Sequence, residues 1–244
     1  MSKWFKDWFD SNEYLDVYSH RDKTDVANFL ILITQNFDFK SGTKVLDAAC
    51  GNGRFSNYFA KSGFDVTSFD LSMQLLKIAQ RKSTEDNLNI KYFRSDIRNV
   101  SLKGSFDLVL NMFTSFGYFT SDNENFSFIQ TAYELLNEKG YFIFDYLNKD
   151  YVINNLIPKS HKTIDDKKII EERRINNNRV EKKIIIESSS ERKIFQESVL
   201  IYSKDEIIDG FNSCGFKVDK IFGDYLGSNY NSLTSERLLI FFVK

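Results

Sequence analysis

The 244-residue sequence predicts an α/β fold, a parallel sheet sheathed by helices on both faces and carrying a small antiparallel β insertion. Three observations carry this. Between residues 44 and 146 short apolar runs alternate five times with helix-like segments, the pattern of a parallel sheet covered on both sides. Between residues 159 and 204 that rhythm breaks into strand-like runs rich in Lys, Arg and Glu, joined by the turn signals Asn176-Asn177-Asn178 and Ser188-Ser189-Ser190. Beyond them one more helix and two strands resume the first pattern.

Taken in order, Trp4, Phe5, Trp8 and Phe9 recur at the spacing of a short amphipathic helix hiding one aromatic face, as core or as a lid over a ligand. A second helix is expected over 22–37, burying Val26, Phe29, Leu30 and Ile33. Strands are expected at 44–50, 64–70, 90–94, 106–113 and 141–146, and helices at 53–61, 72–82 and 122–138. Ser121 with Glu124 forms a capping box for the last helix, and Gly140 stops it. The insertion reads as strands at 168–175, 179–188 and 192–202. Ser203 with Glu206 then caps a helix ending at Gly215, followed by strands at 216–222 and 237–243. The expected division is a core over 1–150, the insertion over 151–203 and completing elements over 204–244.

Composition narrows the function. Lys and Arg total 33 against 34 Asp and Glu, so there is no long-range field to capture a polyanion, and a dedicated nucleic-acid binder is disfavoured. The longest aliphatic run, 29–33, falls far short of the ~20 residues that span a bilayer, and Lys3, Lys6 and Asp7 stand where a signal peptide needs apolar residues. A cytoplasmic protein without a membrane partner is expected. Cys50 and Cys214 fall in different elements and cannot form a zinc cage or an iron-sulfur site, so no metal is expected.

In a parallel sheet ligands bind beyond the carboxyl ends of the strands. The first strand runs into Asp47-Ala48-Ala49-Cys50-Gly51-Asn52-Gly53-Arg54, where Gly51 and Gly53 can turn tightly and expose bare backbone to a ligand. Glycine spacing alone does not separate this loop from a dinucleotide site. Asp47 does: a carboxylate over the glycines repels phosphate and attracts an ammonium or sulfonium, and Ser56 stands at the third fingerprint glycine. Asp70, 19 residues after Gly51, is spaced to accept the hydroxyls of a ribose. Asp96 is placed for the amino group of an adenine, with Leu71 and Ile97 as apolar walls. One aspartate at a strand end is more often a helix cap; three beside a glycine loop form a constellation.

Val45-Leu46-Asp47-Ala48-Ala49-Cys50-Gly51-Asn52-Gly53, Ser68-Phe69-Asp70-Leu71-Ser72 and Ser95-Asp96-Ile97 resemble the successive S-adenosylmethionine motifs of class I methyltransferases. Residues 111–119 are similar to a loop in a bacterial subgroup of that family that includes small-molecule and sugar N-methyltransferases, and Tyr14, Tyr18 and Arg21 are similar to its amino-terminal segment. The resemblance implies a Rossmann-like doubly wound sheet of seven strands with the last antiparallel, and S-adenosyl-L-methionine as cofactor, released as S-adenosyl-L-homocysteine. It implies that Asp47, Ala49, Gly51, Asn52 and Gly53 hold the methionine portion, Asp70 the ribose and Asp96 the adenine end, where Leu71 and Ile97 are the apolar walls. Asn111, Met112, Tyr18 and Arg21 would complete the cofactor site. Asn52 departs from the family's usual Thr.

Methyl transfer from a sulfonium needs orientation and exclusion of water more than acid-base chemistry. Phe116 and Tyr118 are the candidates to face the acceptor, with Tyr118 able both to pack and to orient a polar group. His20 is the candidate base beside the lid; His161 is the only other imidazole. No Asp/Asn-Pro-Pro-Tyr follows the fourth strand, so the resemblance argues against exocyclic amines of nucleic acid and for a small-molecule acceptor transferred to at N or O. The insertion reads as a solvated charged face that covers the acceptor pocket or serves association, for instance as a homodimer. A non-catalytic protein binding S-adenosylmethionine or S-adenosylhomocysteine, and a nicotinamide oxidoreductase, are the alternatives.

Overall fold

A computed structural model describes residues 4–18 and 23–244. Two short helices, α1 (Trp4–Phe9) and α2 (Glu13–Val17), precede α3 (Lys23–Asn36). The alternating part then runs β1 (Lys44–Ala48), α4 (Arg54–Lys61), β2 (Asp65–Asp70), α5 (Met73–Glu85), β3 (Lys91–Arg94), β4 (Phe106–Asn111), α6 (Asp122–Leu135) and β5 (Leu136–Leu147). After α7 (Lys149–Asn155) come β6 (Lys159–Ile164), β7 (Lys167–Asn176), β8 (Arg179–Glu187) and β9 (Arg192–Leu200). The chain closes with α8 (Lys204–Asn212), β10 (Lys217–Phe222) and β11 (Arg237–Val243).

The main sheet has seven strands in the order β10-β11-β5-β4-β1-β2-β3. Strands β1 to β5 pair in parallel, whereas β11 is antiparallel to both β5 and β10, as the resemblance implied. Successive side chains of a strand point to opposite faces, and here each face has its own core. Leu238, Ile240 and Phe242 of β11 join Phe128, Ile129 and Phe211 of α6 and α8 on one side. Leu239 and Phe241 join Val26, Phe29, Ile33, Phe55 and Phe59 of α3 and α4 on the other. The apolar face read from the sequence for α3 is therefore the buried one at Val26, Phe29 and Ile33, with Leu30 partly buried beside them.

The insertion is a separate four-stranded antiparallel sheet, β6-β7-β8-β9. Trp8 and Val17 of the amino-terminal helices pack on Ile169, Ile184 and Ile186 of this sheet, making a third, smaller core. Three local expectations need correction. The helix expected to reach 138 ends at Leu135, because Leu136 turns extended and pairs with Phe106. The short α7 and the edge strand β6 occupy a stretch where no element was expected. Among the described residues no helix is long and apolar enough to cross a membrane.

Candidate active site

The carboxyl ends of β1 to β5 open into one cavity of about 1420 Å³, roofed by α1, α2 and the insertion sheet. Its floor is the loop after β1. Ala49, Gly51 and Gly53 all have positive φ (59°, 57° and 75°), a conformation costly for Ala49 and free for glycine. A Cβ on Gly51 would meet open space, so the Gly51 backbone faces the cavity bare. A Cβ on Gly53 would strike Ala79 Cβ and Tyr92 Oη at 2.8 Å, so Gly53 lets α4 pack closely and does not itself reach the cavity.

Asp47 lies at the end of β1, 2% exposed, and accepts a 2.6 Å hydrogen bond from Ser56 Oγ, which in turn accepts one from Ser68 Oγ at 2.9 Å. Burial pushes its carboxyl up to about 6, an effect that the Ser56 hydrogen bonds restrain. Ser56 thus has a reason to stand where a dinucleotide loop has its third glycine. Asp70 ends β2 and ties two loops together, accepting from Gly51 N and Ser72 N at 2.8 Å each. Burial raises its carboxyl also, against those backbone bonds. Since a carboxylate has about four acceptor positions, Asp70 can still accept from a ligand in the cavity it lines.

Asp96 also lines the cavity but both its oxygens are taken, by Arg98 Nε at 3.0 Å and Nη2 at 2.7 Å, which holds its carboxyl below the ordinary range. Ala49, Asn52, Leu71, Ile97, Met112 and Tyr18 line the cavity. Asn111 does not; its Nδ2 donates to Ala48 O at 3.1 Å, and its buried Oδ1 has no partner among the described residues. Phe116 is corrected as well: at 6% exposure it packs among Phe126, Phe144, Tyr146 and Tyr202 in the core, away from the wall. Tyr118 faces the cavity and meets Trp4, Phe5 and Phe9 at centroid distances of 5.2, 6.4 and 5.6 Å. His20 and Arg21 lie outside the described residues, and His161 is exposed on β6 and is not part of the wall.

The loop after β4 is held rigidly. Phe113 and Thr114 have φ of 55° and 64°, a region L residues adopt only when the surroundings impose it. Asp145, fully buried at the end of β5, imposes it here: its Oδ2 accepts from Phe113 N at 2.8 Å and from Tyr225 Oη, while Oδ1 accepts from Arg237 Nε at 2.8 Å. Arg237 also donates to Thr114 Oγ1 at 3.1 Å and lines the cavity.

The sequence reading missed the opposite wall. Arg173, Lys182 and Glu197 are directly paired across β7, β8 and β9 and all line the cavity. They are not the solvated face that their charges suggested, with side chains 20, 13 and 13% exposed. Glu197 accepts from Trp8 Nε1 at 2.6 Å, from Tyr18 Oη and from Lys182 Nζ at 3.0 Å. Burial pushes its carboxyl up, but Lys182 and those hydrogen bonds outweigh it and hold the group ionised.

Residues 45–140 match the family described as a methyltransferase domain. A putative methyltransferase of Geobacillus sp. (strain WCH70), GWCH70_2453, is 32% identical over 126 residues, 52% of this chain and 51% of the relative. A glycine/sarcosine N-methyltransferase of Aphanothece halophytica is 30% identical over 120 residues, 48% and 45% of the two chains. The chain spans about half the length of the curated relatives it matches. Among solved structures, an S-adenosylmethionine-dependent methyltransferase from Clostridium acetobutylicum ATCC 824 superposes with a TM-score of 0.83 at 18% identity, covering 95% of each chain. The CcbJ methyltransferase from Streptomyces caelestis does so at 0.80 and 15% identity, covering 97% of each. The matched segment contains β1 to β4 with the Gly51, Asp70 and Asp96 loops, and the fold likeness extends over nearly the whole chain. Residues 45–140 of this chain are a methyltransferase domain, set in the Rossmann-like fold of the class I enzymes.

Proposed function

We propose that the protein transfers a methyl group from S-adenosyl-L-methionine to a nitrogen or oxygen of a small-molecule acceptor. One observation carries the cofactor assignment: Gly51, with its backbone bare to the cavity, and Asp70, whose carboxylate holds Gly51 N and still has lone pairs to offer, stand together at the switch point of the sheet. The donor set fits the group. Two carboxylates and a bare backbone suit a cationic nucleoside and oppose a pyrophosphate, which disfavours a nicotinamide dinucleotide.

When bound, the cofactor supplies an activated methyl on sulfur. The chain's own residues do the rest: Asp70 would accept ribose hydroxyls, Leu71 and Ile97 would flank the base, and Asp47 would lend negative potential beside the methionine portion. Asp96, engaged by Arg98, would reach the adenine amino group only through lone pairs that Arg98 leaves unused. Tyr118 and the Trp4, Phe5 and Phe9 rings exclude water and offer aromatic faces to positive charge, worth about 0.5 to 2 kcal/mol each where desolvated.

A small acceptor is favoured by the roof, since α1 and the insertion enclose the cavity where a nucleic acid would need an open groove. Structural neighbours include CalS10, an amino pentose methyltransferase, and KedS8, a sugar N-methyltransferase. Calorimetry with S-adenosylhomocysteine tests the reading. Saturable binding is expected, and Asp70→Ala should weaken it by about 1.5 kcal/mol or more, the loss of charge-assisted hydrogen bonds. Tighter binding of a nicotinamide dinucleotide would overturn it.

A further inference from the structure

The two sides of the cavity differ in their free hydrogen-bonding groups. Its floor, at the ends of β1, β2 and β3, presents the acceptors of Asp47, Asp70 and Asp96; its far wall, from the insertion and β11, presents Arg173, Lys182 and Arg237, each ion-paired, with Glu171, with Glu171 and Glu197, and with Asp145. The acidic half is accounted for by a cationic methyl donor. The donors that the far wall keeps free are not.

The three cations differ in what they have left to give. Lys182 is committed to Glu197 at 3.0 Å, Glu171 at 3.4 Å and Tyr18. Arg173 donates Nη1 to Ser160 Oγ at 2.9 Å and Nη2 to Glu171 Oε2 at 2.6 Å. A guanidinium has five N–H groups in a planar fork, so three of those on Arg173 have no partner among the described residues while the side chain lines the cavity. Arg237 is similar, with Nε and Nη2 on Asp145 and Thr114 and nothing bonded to Nη1 among the described residues.

Next along the same face, Val180 and Val199 pair across β8 and β9 and also line the cavity, so the Arg173 guanidinium, paired with Glu171 but with N–H groups to spare, has an apolar step near it on the wall. Glu197 does not oppose an anion there. Its charge is already met by Lys182, Tyr18 and Trp8.

Resting on the methyltransferase reading, we propose that the acceptor carries an oxyanion, a carboxylate or a phosphate, and that Arg173 is the specificity-determining residue that receives it. A planar fork matches two oxygens of either group, and the partly buried setting makes the pairing stronger than at a surface. Arg237, its charge met by Asp145, still offers Nη1 on the same wall and so favours the same ligand.

The test is titration calorimetry on the full chain preloaded with S-adenosylhomocysteine, so that the acidic half is occupied. Acetate, inorganic phosphate and, as a neutral control, glycerol are the titrants. Saturable binding of acetate or of phosphate is expected, whichever binds identifying the group, with none for glycerol. Arg173→Gln should weaken it at least tenfold, and Arg173→Lys, which keeps the charge and loses the fork, at least threefold; the lysine variant decides if the glutamine variant does not fold. Arg174→Gln, on the opposite face of β7 and exposed, should change nothing. No saturable binding of either anion, equal binding of glycerol, or smaller losses in the Arg173 variants would overturn the proposal. S-adenosylhomocysteine affinity is read first in each protein: its failure in the wild type sinks the cofactor reading, whereas anion failure with that affinity intact sinks only this one.

Discussion

Asp47 shows how one side chain links stability to binding. Its carboxyl is raised to about 6 by burial, so the folded chain holds that proton more tightly than the unfolded chain, whose value is near 3.8. The stabilisation this gives is complete below about pH 4 and is lost as pH rises through 6. Wild type should therefore lose roughly 2 to 3 kcal/mol across that interval relative to Asp47→Asn, which keeps an acceptor for Ser56 Oγ. Urea unfolding at pH 4.0 and 7.0 reads the difference, and parallel curves for the two proteins would show that Asp47 does not titrate there. Binding should move in the opposite sense. Affinity for the sulfonium cofactor should fall as pH drops through about 6 and Asp47 is neutralised, while Asp47→Asn should be flat.

At the scale of elements, the β4 loop and the insertion are held by two arginines. Arg179, at the start of β8, donates to the carbonyls of Gly117, Tyr118, Phe119 and Ser198 and so pins the new sheet to the wall it covers. Gly117 has φ +83°, and a Cβ there would lie 2.6 Å from Leu200 O, so the junction tolerates no side chain. Arg237 pairs with fully buried Asp145. Arg237→Met leaves that carboxylate unpaired and should cost about 3 to 5 kcal/mol, part of which Asp145→Asn added to it should restore. Equilibrium denaturation of the two variants measures both. The sequence made the local devices legible: the capping box of Ser203 and Glu206 forms as read, and the Gly51, Asp70 and Asp96 loops fall at successive strand ends. It could not show which side of the insertion was buried, because Lys182 and Glu197 alternate with other charges and only pairing across β7, β8 and β9 assigns them a face. Likewise β6, with the run Lys-Ser-His-Lys-Thr-Ile, has almost no apolar alternation and is a strand only by its pairing with β7. Phe116 and Tyr118 are both aromatic and two residues apart; the turn at Gly117 sends one into the core and leaves the other at the wall.

Across the whole molecule, α1 and α2 join the two sheets over the cavity. Toward the main sheet Asp10 accepts from Ser72 Oγ at 2.6 Å, just beyond β2. Toward the insertion Trp8 packs against Phe195 at a centroid distance of 4.5 Å and donates to Glu197, while Glu13 and Asp16 pair with Lys193 and Lys167. This core is separate from the two that flank the main sheet, and segments with their own small core can open without global unfolding. Trp8→Ala should therefore loosen the roof more than the fold. The buried ring is worth about 3 to 5 kcal/mol to whatever it holds, so amide exchange should accelerate sharply in α1, α2 and the adjoining face of β7 to β9 while the amides of β1, β4 and β5 keep their protection. Bound S-adenosylhomocysteine should dissociate faster by tenfold or more, because the roof must open for it to leave and now opens more often. Uniform loss of protection through the main sheet would show instead that the roof and the core fold as one unit, and an unchanged dissociation rate would show that the ligand leaves by another route.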